Sequence, residues 1–449
     1  MYVVLDKAGK QPAALYGTPG KEVHTVCGTG PIRGEFASTN GRAFTVSGLG
    51  LYEVLSNGTN TLRGTLNSFS INGICTFDEN GPELAICDGD KIYIFTYATN
   101  NFGVVTDPDL PSVGSVTFLG GYFIANKNAS QAYYVSDLYS GTSWQPLQFA
   151  SAESSPDNLS RVIRVSGQVF GLGTNTTEIF TQSGATFPFQ KISGAQFDVG
   201  ILAPYSAVPV DNSLYWIGQD SNGSGIVYRN SGYTPIRVST EAMELIIAQA
   251  TDPTKIRGHT YQEDGHTFVM FTGGGLPTSI CFDISTKYWH KRAYLNGSGF
   301  FEPDLANSHM FAFGKHLVGS RLNGAIYNQS MNNYTDAGSP LCRERTYTHI
   351  SEENQRIRFD NLVVGFETGV GTQTGQGFDP TCMLSVSRNE GHSFTQWQTA
   401  TIGAVGRYRT RVIFWRLGTA RTMTFRLRVT DPIPVRIVGS WVNVPGAVA

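Results

Sequence analysis

Charge is scarce in this sequence: Asp, Glu, Lys and Arg together make up 15% of 449 residues. Long, salt-bridged helices need more than that, so a helical architecture is a poor fit. No run approaches the 18 apolar residues of a membrane-spanning helix. The N-terminus, "MYVVLDKAGK", places Asp6 where a secretory signal needs an apolar region, so synthesis in the cytosol is expected. The six cysteines (Cys27, Cys75, Cys87, Cys281, Cys342, Cys382) include no C-x-x-C pair and have no histidine at zinc spacing. Free thiols are therefore expected, not a metal site or a disulfide framework. Also missing are G-x-S-x-G, H-E-x-x-H and a P-loop, and the eight histidines do not cluster with carboxylates at a recognisable motif spacing. No catalytic, metal-binding or cofactor-binding set emerges, and no cofactor is expected.

What is abundant is glycine, at 51 residues, and aromatics, at 12%. That balance suits short strands joined by tight turns. The net charge of −2 gives no global reason to expect nucleic-acid or membrane binding, but it is unevenly spread. Residues 341–449 hold thirteen arginines and no lysine against eight acids, a net of +5, whereas residues 1–340 hold 20 bases against 27 acids, a net of −7. An acidic body is followed by an arginine-rich segment.

Paired apolar runs broken by polar turns recur through the first 330 residues. "RAFTVSGLGLYEV", "ELAICDGDKIYIFT", "RVIRVSGQVFGLGTNTTEIFT" and "MFAFGKHLVGSRLNGAIYN" are clear examples. Their starts lie roughly 35 to 50 residues apart, the period of a four-stranded propeller blade. A tandem of β-sandwiches also yields many short strands, but the period favours a propeller of six or seven blades over residues 1–340. Ring closure is expected to use an early strand, in "YVVLDK" or "AFTVSG". One helix interrupts the pattern, in "RVSTEAMELIIAQA", with Ser239 or Thr240 as its cap and Met243, Leu245, Ile246 and Ile247 as its apolar stripe. After "NNYTDAGSP" the strands lengthen, and residues 341–449 read as a separate β-sandwich. The fold class is all-β.

Three stretches invite a functional reading. In "SAESSPDNLSRV", Glu153 and Asp157 form a carboxylate pair that suits an acid/base couple, a metal site, a helix cap or a polar loop satisfying backbone amides. "SRNEGHSF" nearly matches the Asp-box turn of sialidases and other propellers, with Ser387, Asn389, Gly391 and Phe394 at the marker positions. Such turns are braced by side-chain to backbone bonds and are not catalytic. In "RYRTRVIFWRLGTARTMTFRLRV", Arg407, Arg409 and Arg411 alternate and would share one face of a strand, and Arg426 and Arg428 repeat the spacing. A solvated face is one reading; the other is a docking face for carboxylates or phosphate.

Residues 149–207 carry a further signal. "FASAESSPDNLSRVIRVSGQVFGLGTNTTEIFTQSGATFPFQKISGAQFDVGILAPYSAV" combines an AES-x-PD loop, a strand ending in "TTEIF", the turn Ser183-Gly184-Ala185 and a "GILAPYS" segment. It resembles the packaged-DNA stabilisation proteins of short-tailed bacteriophages, also called tail accessory factors, tail hubs or nozzles. Further echoes are "SLYWIGQDSNGSGIVYR", "GYTPIRVSTEAME" and the closing arginine-rich strands. The resemblance implies a non-enzymatic virion protein of the short tail. It would form a hexameric ring below the portal and head-to-tail adaptor, extend the channel for genomic DNA and retain packaged DNA until ejection. Implied partners are copies of itself, the adaptor, a tailspike or tail fibre, a tail needle or plug, and the passing DNA. The rival reading is a propeller that binds or hydrolyses glycans, which needs two carboxylates in one cleft.

Overall fold

A computed structural model describes residues 1–5, 13–67, 73–152, 156–353 and 355–444. Strand accounts for 56% of the chain and helix for 3%, in keeping with the all-β reading. Seven successive sheets occupy the propeller region among the described residues: 32–65, 76–104, 113–151, 159–197, 200–237, 256–283, and 306–330 together with Gly20–Val26. Five of them turn from first to second strand with one device. The residue pairs Gly120-Gly121, Ser166-Gly167, Asp211-Asn212, Asp264-Gly265 and Phe313-Gly314 all have positive φ. Each is flanked by directly paired strand ends, such as Val165 opposite Gln168 and Glu263 opposite His266. This is the two-residue hairpin whose twist matches that of the strands it joins.

A single blade leaves both faces apolar, so the hydrophobic cores form between neighbours. Phe44, Val46 and Leu51 of the first sheet pack with Leu84, Ile86 and Phe95 of the second. Ile163, Phe170 and Ile179 of the fourth pack with Leu214 and Trp216 of the fifth. Cys27, Ile32 and Val54 pack with Met310, Leu317 and Ile326, which joins the first sheet to the last. The innermost strands have an unpaired edge, whose amides need acceptors. Short side chains of the adjacent blade supply them: Thr76 Oγ1 accepts from the Val116 amide (3.1 Å), Asp78 Oδ2 from Phe118 (2.6 Å), Ser115 Oγ from Val162 (3.1 Å) and Thr117 Oγ1 from Arg164 (3.2 Å). At the closure, Glu35 Oε2 accepts from Ser308 Oγ (2.6 Å) and the Gly319 amide (2.9 Å).

The closing strand differs from both expected candidates. Gly20–Val26 takes the outer place beside Ala325–Ser330, and the Cys27 amide donates to the Gly324 carbonyl at 2.7 Å. "AFTVSG" is instead an interior strand of the first blade, Ala43–Ser47. "YVVLDK" supplies Tyr2–Leu5, which pairs with Ala13–Tyr16 in a sheet ordered Tyr2–Leu5, Ala13–Tyr16, Arg436–Asn443, Ile357–Phe366, Val412–Ala420. A second sheet contains Arg343–Thr346, Thr422–Val429, Thr381–Ser387 and Gln398–Thr401. The two enclose one core, with Phe359, Leu362, Val364 and Phe414 from the first and Leu384, Met423, Phe425 and Leu427 from the second.

By contacts the chain divides into two compact units that interleave along the sequence. One comprises 1–22, 285–301 and 329–449, and the other 23–284 and 302–328. The helix spans Glu241–Ala248 and buries Met243, Ile246 and Ile247 but leaves Leu245 exposed. Thr240 is its N-cap residue without a side-chain cap bond. Ser239 Oγ instead accepts from the Val227 amide (3.0 Å) and donates to Glu244 (2.6 Å), so the hydroxyl is engaged by the preceding strand and the helix side chain. All six cysteines are free thiols, five of them buried.

Candidate functional site

Alternation along Thr422–Val429 sends Met423, Phe425, Leu427 and Val429 into the sandwich core and leaves Arg426 and Arg428 on the outer face. On one side they face Arg343–Thr346, with Glu344 opposite Arg428 and Thr346 opposite Arg426; on the other they face Met383 and Ser385. Arg428 donates through Nε (2.9 Å) and Nη2 (2.6 Å) to Glu344 Oε2, and Arg426 Nε lies 3.7 Å from Glu344 Oε1. Aromatic rings cover both guanidinium groups. Arg426 lies 3.5 Å from the Phe394 ring centre, and Arg428 lies 4.5 Å from Trp397 and 5.5 Å from Phe301. One carboxylate and three rings thus offset the repulsion between two like charges on one strand. What remains is a partly exposed, aromatic-edged cationic ridge suited to planar anions and carboxylates.

Arg407, Arg409 and Arg411 are not on a strand. Residues 404–410 form consecutive turns, and the strand begins only at Val412. The reason lies in the flanking glycines: Gly403 and Gly406 take φ of 100° and 83°, which an extended strand does not accommodate. The Arg407 amide bonds back to Ala404, and Thr410 Oγ1 donates to the Arg407 carbonyl. The three arginines, with Tyr408 at 72% exposure, therefore crown a loop open to solvent. They do not share a face with Arg426 and Arg428 through strand geometry.

The turn at Ser387 to Phe394 is closed by its own side chains. Ser387 Oγ accepts from the Gly391 amide (2.9 Å) and donates to Asn389 Oδ1 (2.8 Å), which also accepts from the Ser393 amide (2.9 Å). Its Phe394 supplies the ring over Arg426. Asp157 serves the blade hairpin at 173–177: Oδ2 accepts from the amides of Asn175 (2.6 Å) and Thr176 (3.0 Å), and Oδ1 from Thr176 Oγ1 (3.1 Å). Glu153 lies outside the described residues. Among the described residues no three His, Cys, Asp or Glu side chains gather as a metal-binding group, and no helix is long and apolar enough to cross a membrane.

Sequence reasoning missed Glu344, Trp397 and Phe301. Glu344 is 84 residues from Arg428, a separation at which no motif reports contact. The usable signal was the alternating Arg343-Glu344-Arg345 against Arg426-Leu427-Arg428, which suits cross-strand charge pairing.

Two family models match the chain. Residues 1–333 match one described as "Bacteriophage P22 Gp10, beta-propeller", and residues 343–445 match one described as "Bacteriophage P22 Gp10, beta-sandwich". The chain belongs to the bacteriophage P22 Gp10 family. It is a phage structural protein and, as such, a virion component. A comparison with curated proteins finds no match. Among solved structures, a computationally designed protein, Ika8, is 11% identical with a TM-score of 0.40, covering 69% of this chain and 100% of its own. The extracellular domains of a putative hybrid two-component system and a putative one-component system of B. thetaiotaomicron are each 11% identical with TM-scores of 0.46. They cover 90% and 93% of this chain, which spans 48% and 58% of their length.

Proposed function

We propose that this protein is the tail nozzle of a short-tailed phage, a hexameric ring below the portal and adaptor that extends the DNA channel and retains the packaged genome until ejection. Membership of a phage structural family across both the propeller and the sandwich supports this reading. The observation that carries the residue-level proposal is the loop of Arg407, Tyr408, Arg409 and Arg411, which stands in solvent within a segment of net charge +5. A loop of exposed arginines is matched to carboxylates of a neighbouring copy or adaptor, or to DNA phosphate. Tailspike or fibre and needle would meet other faces of the ring. The protein acts without catalysis on this reading: Asp157, one half of the carboxylate pair, has both oxygens engaged in holding a hairpin.

Replacing Arg407, Arg409 and Arg411 together by Glu tests the proposal. The loop is exposed, so the purified variant should fold, each position mattering to stability by less than about 1 kcal/mol. In infected cells it should block tail assembly if the loop docks on protein. It should assemble but lose DNA, with a steep salt dependence, if the loop meets the genome. Normal tails on full heads would remove the loop from the functional account.

A further inference from the structure

Alternation along three neighbouring strands builds a polar row on the outer face of the sandwich. Leu362 pairs with Phe414 and Val442, and all three pack on the core, so Asn361, Trp415 and Asn443 beside them point outward. Asn361 stands directly opposite both of the others, and two strand spacings give the row a length of about 10 Å. The row lies in an open groove of about 890 Å³ that Arg358, Asp360 and Arg416 also line.

A bulge adds Arg416 to this face. Phe359 pairs with Gly418 and Asn361 with Trp415, so Asp360 alone lies opposite both Arg416 and Leu417. Leu417 enters the core, while Trp415 and Arg416, consecutive in sequence, both stay exposed. Arg416 takes a φ of 58° to do so, a left-handed conformation that is unfavourable for a residue with a Cβ. Arg388 Nη2 pins the bulge by donating to the Leu417 carbonyl at 2.9 Å.

The polar groups of the groove are unspent. Asn361 is 7% exposed, yet among the described residues its side-chain amide makes no hydrogen bond. Unlike the orphan atoms sealed in the interior, that amide keeps contact with solvent in the groove it lines. A side-chain amide more than nine-tenths buried and without a partner is costly, and a ligand reaching into the groove satisfies it. Asn443 and Arg416 likewise have no side-chain partner among the described residues, and Trp415 is 60% exposed with its indole N–H unused. Asp360 Oδ1 accepts from Arg358 Nε at 2.7 Å, which offsets that arginine's charge and leaves Oδ2 as an acceptor.

A flat apolar ring, two amides that each donate and accept, one carboxylate oxygen and one uncompensated guanidinium together suit a pyranose. The C–H face of such a sugar packs on the indole, its hydroxyl pairs match amide and carboxylate, and an acidic substituent matches Arg416. A nucleic-acid strand fits less well, because Arg416 alone carries uncompensated charge here and Asp360 repels phosphate. We propose that this groove binds a short acidic saccharide, with one sugar ring stacked on Trp415, hydroxyls on Asn361, Asn443 and Asp360, and a carboxylate on Arg416. The proposal does not depend on the nozzle reading.

To test it, the full-length chain is incubated with an array of immobilised oligosaccharides, some neutral and some carrying uronic or sialic acids, and retained saccharides are titrated by calorimetry. Binding of acidic saccharides is expected, and Trp415→Ala and Asn361→Ala should each weaken it at least tenfold. Trp441→Ala is the control: Trp441 is 50% exposed on the same face but leans over Gly365 outside the groove, so binding should be unchanged. Arg416→Gly should fold at least as stably as wild type, because glycine accepts the positive φ, yet lose the acidic saccharides. This variant keeps the test decisive if Asn361→Ala fails to fold. No retained saccharide, retention unaffected by Trp415→Ala, or an equal loss with Trp441→Ala would overturn the site. Preference for neutral saccharides would overturn the role of Arg416, and tighter binding of a short single-stranded DNA through Trp415 would overturn the saccharide assignment.

Discussion

Replacing Asp157 by Ala removes the acceptor of two backbone amides and one hydroxyl at the hairpin of residues 173–177. Bonds to an ionised group contribute about 1.5–3 kcal/mol each when buried, and less when water can substitute. The Asn175 amide is exposed and can turn to water, whereas the Thr176 amide and hydroxyl are partly buried. The expected loss is therefore about 2 kcal/mol, drawn mainly from Thr176. Asp157→Asn keeps an acceptor oxygen for the two amides and loses the charge, so about 1 kcal/mol is expected. Equilibrium urea unfolding gives the stability change, and hydrogen exchange of a peptide covering residues 173–182 gives its location, with faster exchange expected in both variants. A change below about 0.5 kcal/mol for Asp157→Ala with unaltered exchange would refute the structural role. Hydrolysis of a glycan by wild type, abolished by Asp157→Asn, would refute the non-catalytic reading as well.

Two further substitutions probe the ring. A Cβ on Gly258 meets the Ser206 carbonyl and the Val208 side chain at clashing distance, so Gly258→Ala should destabilise the propeller by roughly 1–3 kcal/mol or more, read by thermal or urea unfolding. Glu35 is held at about 8 by burial against an ordinary value of 4.5, so folding favours its protonated form. Its stabilising contribution is complete below about pH 4.5 and is lost as pH rises towards about 8. Glu35→Gln should therefore flatten the pH dependence of unfolding across that window and be more stable than wild type at pH 8; an unchanged slope would show that Glu35 ionises freely.

How much of this was legible depended on whether the determinant was local. The blades could be read because each hairpin carries its own instructions, such as Ser166-Gly167 or Asp264-Gly265 between apolar runs. The closing strand could not: "GKEVHTV" has buried residues at Gly20, Lys21 and Thr25 and no apolar run, because it is an outer strand fixed by pairing. Lys21 is 1% exposed through an ion pair with Asp336, 315 residues away. The arginine loop was misread for the opposite reason. Alternation in "RYRTR" imitates a strand, but Gly403 and Gly406 impose left-handed turns just before it. Glu344 and the rings around Arg426 and Arg428 depend on cross-strand register, which becomes visible only once the sheet is assembled.

The central claim is tested most directly by a symmetric reconstruction of tails from the phage that encodes this chain. The account predicts a closed hexameric ring of this protein on the portal axis, with DNA density in its lumen in full particles and Arg407, Arg409 and Arg411 at a contact with a neighbouring copy, the adaptor or that DNA. A different copy number, a position off the axis, or tails lacking the protein altogether would contradict it.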